Sequence, residues 1–359
     1  MISRRSLAGM AAALSIPSLA RAQASPVLRF VPQADLRILD PVWSTGYITR
    51  NYAYLVFDTL LGRDASGAIR PQMAEGWELS PNGLSLQFRL RPGLVFHDGE
   101  PVRAVDCIAS LRRWAARDPA GRRLLAATAS LDAETDLLFT FRFTQPFPAA
   151  LAVLSRYSNA PYIMPERLAR TDPGRQVTEA IGSGPFTFKR DEWLPGQRAV
   201  FMRNPAYRPR GDAASGSAGG KVVHVDRVEW LYLPDPATAT AALATGEVDW
   251  LGYPDADLVP HLRTLRGVTL RSIDPVGVVT LGRFNAIQPP FDNPLVRRPR
   301  SRRSAGATSW RPWAAHLRTG SPARGRSRAS LEAASRSRSR TSPSHGSCSP
   351  NPAIRDRRP

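Results

Sequence analysis

The sequence predicts an α/β fold with a separate antiparallel part. Between Val228 and Trp250, a strand pattern, a helix pattern and a second strand pattern follow one another. This is the order of a sheet whose strands are connected through covering helices. Two other segments, 84–91 and 137–143, alternate apolar and polar residues, as half-buried antiparallel strands do. The fold class is therefore α/β, with hairpins set apart from the strand–helix–strand unit.

The positive charge is concentrated at the two ends of the 359-residue chain. Of the formal net charge of +19, +12 falls in residues 299–359, where 14 Arg accompany one Asp and one Glu. Arg4, Arg5 and Arg21 contribute +3, which leaves +4 for residues 25–298. The main body therefore gives no charge-based indication of nucleic-acid binding.

Residues 1–24 have the three parts of a secretory signal peptide. Arg4 and Arg5 form a basic region, residues 7–19 form an apolar run too short to span a bilayer, and 22–24 offer an A-x-A cleavage site. The Arg pair also fits the twin-arginine export motif, so Sec and twin-arginine export both stay open. Because no cysteine lies near the cleavage site, we expect a soluble periplasmic protein without a lipid anchor.

The first elements read as a strand, a loop and a helix. Val27–Val31 predicts a strand, and residues 39–47 predict a loop. Apolar residues at helical spacing over 49–61 predict a helix, and Gly62 is expected to end it.

The antiparallel part follows, with one helix between its strands. Residues 75–79 and 84–90 predict a hairpin around the turn 80–83, and 104–116 predict an amphipathic helix. Within that helix, Cys107 is expected to be a small buried hydrophobe rather than a reactive thiol. A disulfide with Cys348 is not expected, and the five histidines show no metal-ligand spacing.

A glycine-rich turn, residues 181–186, precedes the strand–helix–strand unit. It lacks the spacing and the Lys-Ser/Thr pair of a phosphate loop. Its glycines are therefore expected to shape the backbone by adopting positive φ. Pro236 is expected to start a helix that Gly246 caps. Further strands are predicted at 268–273 and 276–281.

Several short motifs occur in a fixed order between residues 26 and 298. They are PQMAEGW at 71–77, FRLR at 88–91, FHDG at 96–99, PV at 101–102, GSGPF at 182–186, RNPAY at 203–207, ATGEVD at 244–249, FN at 284–285, PFDN at 290–293 and VRR at 296–298. Together they resemble the extracellular solute-binding proteins of family 5, which are the dipeptide, oligopeptide, nickel and glutathione receptors of ABC importers. Each motif is weak alone, but their number, order and spacing make the resemblance specific.

The resemblance implies a periplasmic-binding-protein-like class II clamshell of two lobes. Residues 26–60 and 180–270 would build lobe one, 61–179 an extra subdomain, and 271–298 the crossover to lobe two. The implied function is to bind a dipeptide, an oligopeptide or a similar small solute and to deliver it to the transmembrane permease subunits of an ABC importer. The implied protein is a monomer that uses no cofactor and binds no nucleic acid.

Residues 299–359 do not continue the family pattern. They contain 13 Ser and 14 Arg, keep no helix or strand period, and have Pro299 where the family would propagate a helix. We expect this segment to be disordered, and we hypothesise an out-of-frame reading after codon 298 that removes most of lobe two and impairs the receptor. Finding no lobe-two sequence in the other two reading frames would refute this hypothesis.

Three alternatives to a working peptide receptor stay open from the sequence. The chain could be a non-functional fragment of such a receptor, or a nickel- or glutathione-type receptor of the same family. The run 335–340, SRSRSR, resembles segments that contact RNA and would favour a nucleic-acid-binding protein. An enzyme is not expected, because the adjacent His97 and Asp98 would point apart and no Ser stands in a nucleophile elbow.

A peptide in the cleft of such a receptor needs polar partners for its backbone and opposite charges for its ends. The candidate ligand-binding residues are Thr45, Tyr47, Ser183, Gly184, Trp250, Tyr253 and Asn285. Each also has a structural alternative; Trp250, for example, could belong to the core and Gly184 could only shape a turn. No residue is assigned to the peptide amino terminus, since the resemblance places its acidic partner in lobe two.

Overall fold

The computed structural model describes residues 26–272 and 284–297. The chain divides into two units, Met1–Arg271 and Ser272–Pro359, and each is described by itself. The predictions for the signal peptide, for the strand at 276–281 and for the Arg/Ser-rich segment lie outside the described residues.

The named elements all belong to the first unit. The strands are β1 (Val27–Val31), β2 (Asp58–Thr59), β3 (Leu61–Arg63), β4 (Ile69–Pro71), β5 (Ala74–Leu79), β6 (Ser85–Leu90), β7 (Thr128–Thr135), β8 (Leu138–Phe143), β9 (Tyr162–Ile163), β10 (Phe186–Phe188), β11 (Arg198–Arg203), β12 (Arg227–Leu231) and β13 (Trp250–Leu251). The helices are α1 (Tyr47–Val56), α2 (Ala104–Arg117), α3 (Pro119–Ala126), α4 (Ala150–Leu154), α5 (Glu166–Ala169), α6 (Pro236–Thr245) and α7 (Val259–Leu262).

A five-stranded sheet has the order β10-β11-β12-β1-β13. β1 pairs in parallel with both β12 and β13, whereas β10, β11 and β12 pair antiparallel. The strand–helix–strand prediction is therefore confirmed: β12, α6 and β13 form it, and β1 lies between its two strands.

Side-chain alternation gives this sheet two different faces. Leu28 and Phe30 of β1 and Val228 and Trp230 of β12 belong to one apolar cluster, which also includes Tyr52 of α1. On the other face, α6 contributes to a smaller apolar cluster. Its buried members are Val31, Ala239, Ala242 and Val248.

The second sheet is antiparallel, in the order β5-β6-β8-β7. The predicted alternation is confirmed, because Leu86, Phe88 and Leu90 of β6 are all buried. Phe88 lies opposite Phe139 of β8, with ring centroids 5.4 Å apart. The same cluster includes Cys107 of α2, which is fully buried as predicted. Burial raises the pKa of the Cys107 thiol well above its usual value.

The predicted helix at 104–116 and the one predicted to start at Pro236 are both confirmed within one or two residues. α6 starts at Pro236, and the Asp235 carboxylate caps it by accepting a hydrogen bond from the Thr238 N–H at 2.7 Å. Gly246 ends it in the left-handed conformation at φ +78°.

The predicted helix over 49–61 is wrong at its end. α1 stops at Val56, and Phe57 is extended. The next residues form β2 and β3, which pair with β9 and β4, so Gly62 lies in a strand. Apolar spacing cannot distinguish the end of a helix from a short buried strand that follows it. The predicted strand at 268–273 is not present over its described residues, 268–272.

The glycines of the 181–186 turn are needed for close approach and not for positive φ, which corrects the prediction. Neither Gly182 nor Gly184 has a positive φ. A Cβ on Gly182 would lie 2.1 Å from the Val56 carbonyl oxygen, and one on Gly184 would lie 2.5 Å from that of Leu55. The turn therefore lies directly against the last residues of α1, where only glycine fits.

A buried ion pair joins three segments of the first unit. Arg113 Nη2 lies 2.5 Å from Asp40 Oδ2, and the two side chains are at most 1% exposed. Asp40 also accepts hydrogen bonds from the N–H groups of Val42 and Val177. The Arg113 guanidinium donates to the carbonyl oxygens of Thr171, Asp172 and Arg175. The loop before α1, helix α2 and the 171–177 loop thus meet at one pair of charges.

Replacing Arg113 by Met should lower the free energy of unfolding by about 3–5 kcal/mol, because the Asp40 carboxylate stays buried without its cation. The exposed Arg142–Asp132 pair supplies the control, since both side chains are about half exposed. Arg142→Met should cost at most about 1 kcal/mol. Urea unfolding of the two variants measures both values. Equal losses would contradict a special role for the buried pair.

Candidate ligand-binding cleft

A cleft of about 560 Å³ lies over the face of the five-stranded sheet that carries Leu28 and Phe30. One wall is formed by α1, and the segment 221–225 also lines the cleft. Most of the surface is apolar. The lining residues are Leu28, Phe30, Asn51, Tyr54, Leu55, Pro185, Phe186, Lys221, Val222, Val223, His224, Val225, Val228, Trp230 and Trp250.

Trp250 is the predicted binding residue that lines this cleft. It opens the edge strand β13, and 47% of its surface is exposed. Its ring lies edge-on to Phe30, with centroids 5.0 Å apart, and Phe30 contacts Trp230 at 5.7 Å. A Cβ on Gly252 would lie 2.8 Å from the Phe30 ring, so glycine is needed for this approach. The result is an aromatic row with an accessible indole at its end.

The start of β13 is fixed by Asp249. Its carboxylate accepts a 2.7 Å hydrogen bond from the Arg29 N–H of β1, and its own N–H donates to the Arg29 carbonyl oxygen at 2.9 Å. These bonds hold the residue before Trp250 against the neighbouring strand. The position of the indole is therefore set by the sheet and not by a free loop.

The lysine of the lining is already paired. Lys221 Nζ lies 2.8 Å from Asp58 Oδ1, and the Asp58 carboxylate also accepts a hydrogen bond from the Tyr207 hydroxyl at 3.1 Å. The Tyr54 hydroxyl donates to the Tyr157 carbonyl oxygen, and burial raises the pKa of Tyr54 to about 12. Tyr54 is therefore neutral at physiological pH, and the cleft suits an apolar group better than a charged one.

Thr45 and Tyr47 are exposed at the start of α1 and do not line the cleft. The Arg50 guanidinium lies 4.5 Å from the centre of the Tyr47 ring. Arg50 also donates hydrogen bonds of 3.2 and 3.3 Å to the Asn51 side chain, and Asn51 does line the cleft. Tyr47 is thus linked to the cleft through two side chains.

Ser183 and Gly184 are buried beneath the end of α1. The Gly184 N–H donates to the Val56 carbonyl oxygen at 2.9 Å, and the Asn204 amide donates to the Gly184 carbonyl oxygen at 3.0 Å. Their role as ligand contacts stays a prediction, and their burial favours the structural alternative.

Tyr253 and Asn285 also stay predictions. Tyr253 is 61% exposed two residues after β13 and is not part of the cleft lining. Asn285 belongs to the second unit, where its side chain donates to Gln288 Oε1 at 3.0 Å and accepts from the Ile287 N–H at 3.3 Å. These bonds describe a local turn.

The other residues of the cleft were not predicted from the sequence. Period-two alternation places Leu28 with Phe30 and Val228 with Trp230 on common faces. The pairing of β1 with β12 that brings the two sets together is a long-range contact, which alternation alone does not reveal. Segment 221–225 was not assigned to any predicted element.

Two negative observations apply to residues 26–272 and 284–297. Over these ranges no cluster of three or more His, Cys, Asp or Glu has an arrangement able to hold a metal ion. In the same part of the chain, no helix combines the length and apolar character needed to cross a membrane.

The described part of the chain has the fold of the class II periplasmic binding proteins. A solved dipeptide-binding protein from Pseudoalteromonas sp. SM9913, in complex with Met-Leu, has the same fold with a TM-score of 0.60. The match has 19% sequence identity and covers 76% of this chain and 56% of that protein.

The chain belongs to the bacterial extracellular solute-binding proteins of family 5, whose "Middle" sequence model matches residues 68–298. This confirms the resemblance drawn from the motifs, and the family is one of solute-binding proteins rather than enzymes. A protein of Sinorhizobium fredii, named probable peptide ABC transporter periplasmic-binding protein, is 40% identical over 306 residues. That match covers 82% of this chain and 57% of the relative.

A more distant relative is the glutathione-binding protein of Shigella flexneri. It is 26% identical over 275 residues, which covers 74% of this chain and 49% of the relative. The chain therefore spans about half the length of the curated relatives it matches.

Replacing Gly184 by Ala should lower the free energy of unfolding by about 1–3 kcal/mol, because the new methyl group meets the backbone of α1. Gly76→Ala is the matched control, since no atom lies within 4 Å of a Cβ there and its φ is not positive. The control should change stability by no more than about 1 kcal/mol. Thermal unfolding measures both variants, and an unchanged Gly184→Ala protein would contradict the close approach.

Proposed function

We propose that this chain acts as the solute-binding component of a peptide ABC importer. The observation that carries the proposal is the 40% identity to a relative named as a peptide transporter's periplasmic-binding protein, over 82% of this chain. In this proposal the protein is exported to the periplasm without a lipid anchor and works as a monomer. It delivers peptides to the transmembrane permease subunits of the importer and binds no nucleic acid.

The proposed division of the chain follows its two larger sheets. Lobe one would comprise residues 26–60 and 180–270, which contain all strands of the five-stranded sheet. The extra subdomain would comprise 61–179, which contains the whole four-stranded sheet. Residues 271–298 would form the crossover, and residues 1–24 the export signal.

The cleft would receive an apolar side chain of the peptide. Its aromatic row ends in the half-exposed indole of Trp250, and its lysine is neutralised by Asp58. An aromatic or aliphatic group that covers the indole would remove apolar surface from water on both partners. A charged group would lose hydration there without gaining a free partner.

Glutathione enters the proposal as a possible ligand because it is itself a tripeptide. The observation behind it is the relative that is named a glutathione-binding protein and is 26% identical to this chain. The lower identity makes an ordinary dipeptide or oligopeptide the first choice.

Binding through this cleft should be weak, because the lysine of its lining is already paired with Asp58 and offers no free charge to the end of a peptide. We therefore expect the apolar dipeptide Met-Leu to shift the indole N–H resonance of Trp250 at millimolar concentration in nuclear magnetic resonance spectra of the whole chain. Trp250→Phe assigns the resonance. Trp250→Ala lacks this resonance and is followed through the indole N–H of Trp230, which also lines the cleft. It should weaken binding by about tenfold or more, the loss typical of an aromatic anchor.

The control variant is Leu79→Ala, which removes an exposed apolar side chain on β5, outside the cleft. It should leave the affinity for Met-Leu unchanged. The titration series also contains Gly-Gly, Asp-Asp and glutathione. If none of these compounds perturbs the Trp250 resonance, the proposed use of the cleft is wrong.

A further inference from the structure

His97 holds the glycine-rich turn through three hydrogen bonds. Its main-chain N–H donates to the Gly182 carbonyl oxygen at 2.8 Å. Its ring Nδ1 accepts from the Gly182 N–H at 3.4 Å, and its ring Nε2 lies 3.1 Å from the Gly184 carbonyl oxygen. One histidine therefore binds both ends of the three-residue segment 182–184.

These contacts require one form of the imidazole ring. Because the Gly182 N–H points at Nδ1, that nitrogen must carry a lone pair, and the single ring proton must be on Nε2. Nε2–H then donates to the Gly184 carbonyl oxygen. A second proton would place a ring N–H against the Gly182 N–H and abolish that hydrogen bond, and the Ala180 backbone would favour this protonated form. Burial lowers the pKa of His97, which agrees with a neutral ring in the folded protein.

The charged groups around His97 are two carboxylates that share one guanidinium. Asp98, from the same turn, favours the protonated ring. Its carboxylate, however, accepts a 3.1 Å bond from Arg167 of α5. Arg167 also pairs at 2.9 Å with Glu179, which precedes the glycine-rich turn. The other side chain on the Gly184 carbonyl oxygen is the Asn204 amide, which does not titrate.

The turn positions part of the cleft wall. Pro185 and Phe186, which line the cleft, follow Gly184 directly in the chain. The Gly184 N–H is bonded to the Val56 carbonyl oxygen at the end of α1. The same helix contributes Leu55 to the cleft. A change in the 182–184 backbone would therefore displace cleft residues in two ways: directly at Pro185 and Phe186, and at Leu55 through α1.

We propose that neutral His97 is a positioning residue that holds the turn 182–184 against α1, and that its protonation releases the turn and loosens the cleft wall. The part of this inference that concerns ligand rests on the proposed function. The part that concerns the turn does not depend on any ligand. It predicts that acid loosens the cleft wall.

The test is amide hydrogen exchange of the whole chain, with rates corrected for the intrinsic effect of pH. As the pH falls below about 6.5, the ordinary histidine value, the unfolded or open form takes up the proton first. The protection factor of the Gly184 N–H should then fall by up to about tenfold per pH unit until the lowered pKa of folded His97 is reached. Protection that stays constant from pH 7.5 to 5 would overturn the proposal.

His97→Gln is the decisive variant, because its amide can donate to Gly184 and accept from Gly182 without titrating. It should keep the Gly184 N–H protected and remove the pH dependence. His97→Ala should leave this N–H poorly protected at every pH. If the Gln variant keeps the wild-type pH profile, another group is responsible and the proposal is wrong.

Two further histidine variants serve as controls. His261→Gln, in α7, should retain the wild-type pH profile of Gly184. His224→Gln, which changes the histidine of the cleft itself, should retain it as well. Loss of the profile in either control would contradict the assignment to His97.

A second experiment, with ligand present, distinguishes this proposal from the proposed function. If Met-Leu binds, its affinity should fall in acid for the wild-type chain but not for His97→Gln. If no peptide binds while Gly184 exchange follows His97, the proposed function fails and the positioning role stands. The reverse result, with peptide binding intact and exchange independent of pH, rejects the positioning role alone.

Discussion

The buried pair of Asp40 and Arg113 is the constraint on which the architecture of the first unit depends. Asp40 belongs to the loop that enters α1, whereas Arg113 belongs to α2, which packs under the antiparallel sheet. Charges removed from water are costly unless every lone pair and proton finds a partner. Here the main-chain groups of the 171–177 loop supply most of those partners, and among the described residues the Arg113 Nε has none. The pair therefore fixes how three distant segments meet. Apolar side chains pack around this arrangement.

The interior holds this arrangement with two large apolar clusters rather than one. One cluster joins the antiparallel sheet to α2, and the other joins α1 to the five-stranded sheet. Ile181 and Val42 pack against both clusters. The glycine-rich turn follows directly after Ile181, which explains why its backbone must lie so close to α1. The cleft wall is thus built on the region where the two clusters meet.

Much of the fold could be predicted from local pattern, because the pattern and the tertiary structure agree there. The alternation in β6 and β8, the amphipathic α2, and Pro236 and Gly246 at the two ends of α6 are signals of this kind. The predicted end of α1 was wrong because the residues after Val56 form a strand that pairs with β9, far along the chain. The predicted reason for a glycine at 182 was wrong, because close contact with another segment, rather than a positive φ, excludes a side chain there.

The site was less predictable for the same reason. Trp250 could be selected from the sequence because an aromatic residue stood at a strand start beside a recognisable motif. Its partner Phe30 lies 220 positions earlier, and only the register of β1 with β13 brings the two rings together. Ser183 carried the same kind of motif signal as Trp250 and yet is buried. A motif marks which residues matter to a fold without revealing which of them face solvent.

The pairing of Lys221 with Asp58 has a kinetic consequence. A free lysine at the cleft would attract anionic solutes from a distance, and their association would slow as added salt screened that attraction. With its charge cancelled by a buried carboxylate 2.8 Å away, Lys221 contributes little to such a field. Solutes would reach this wall at rates set by diffusion and orientation, and the wall would discriminate among them only after contact.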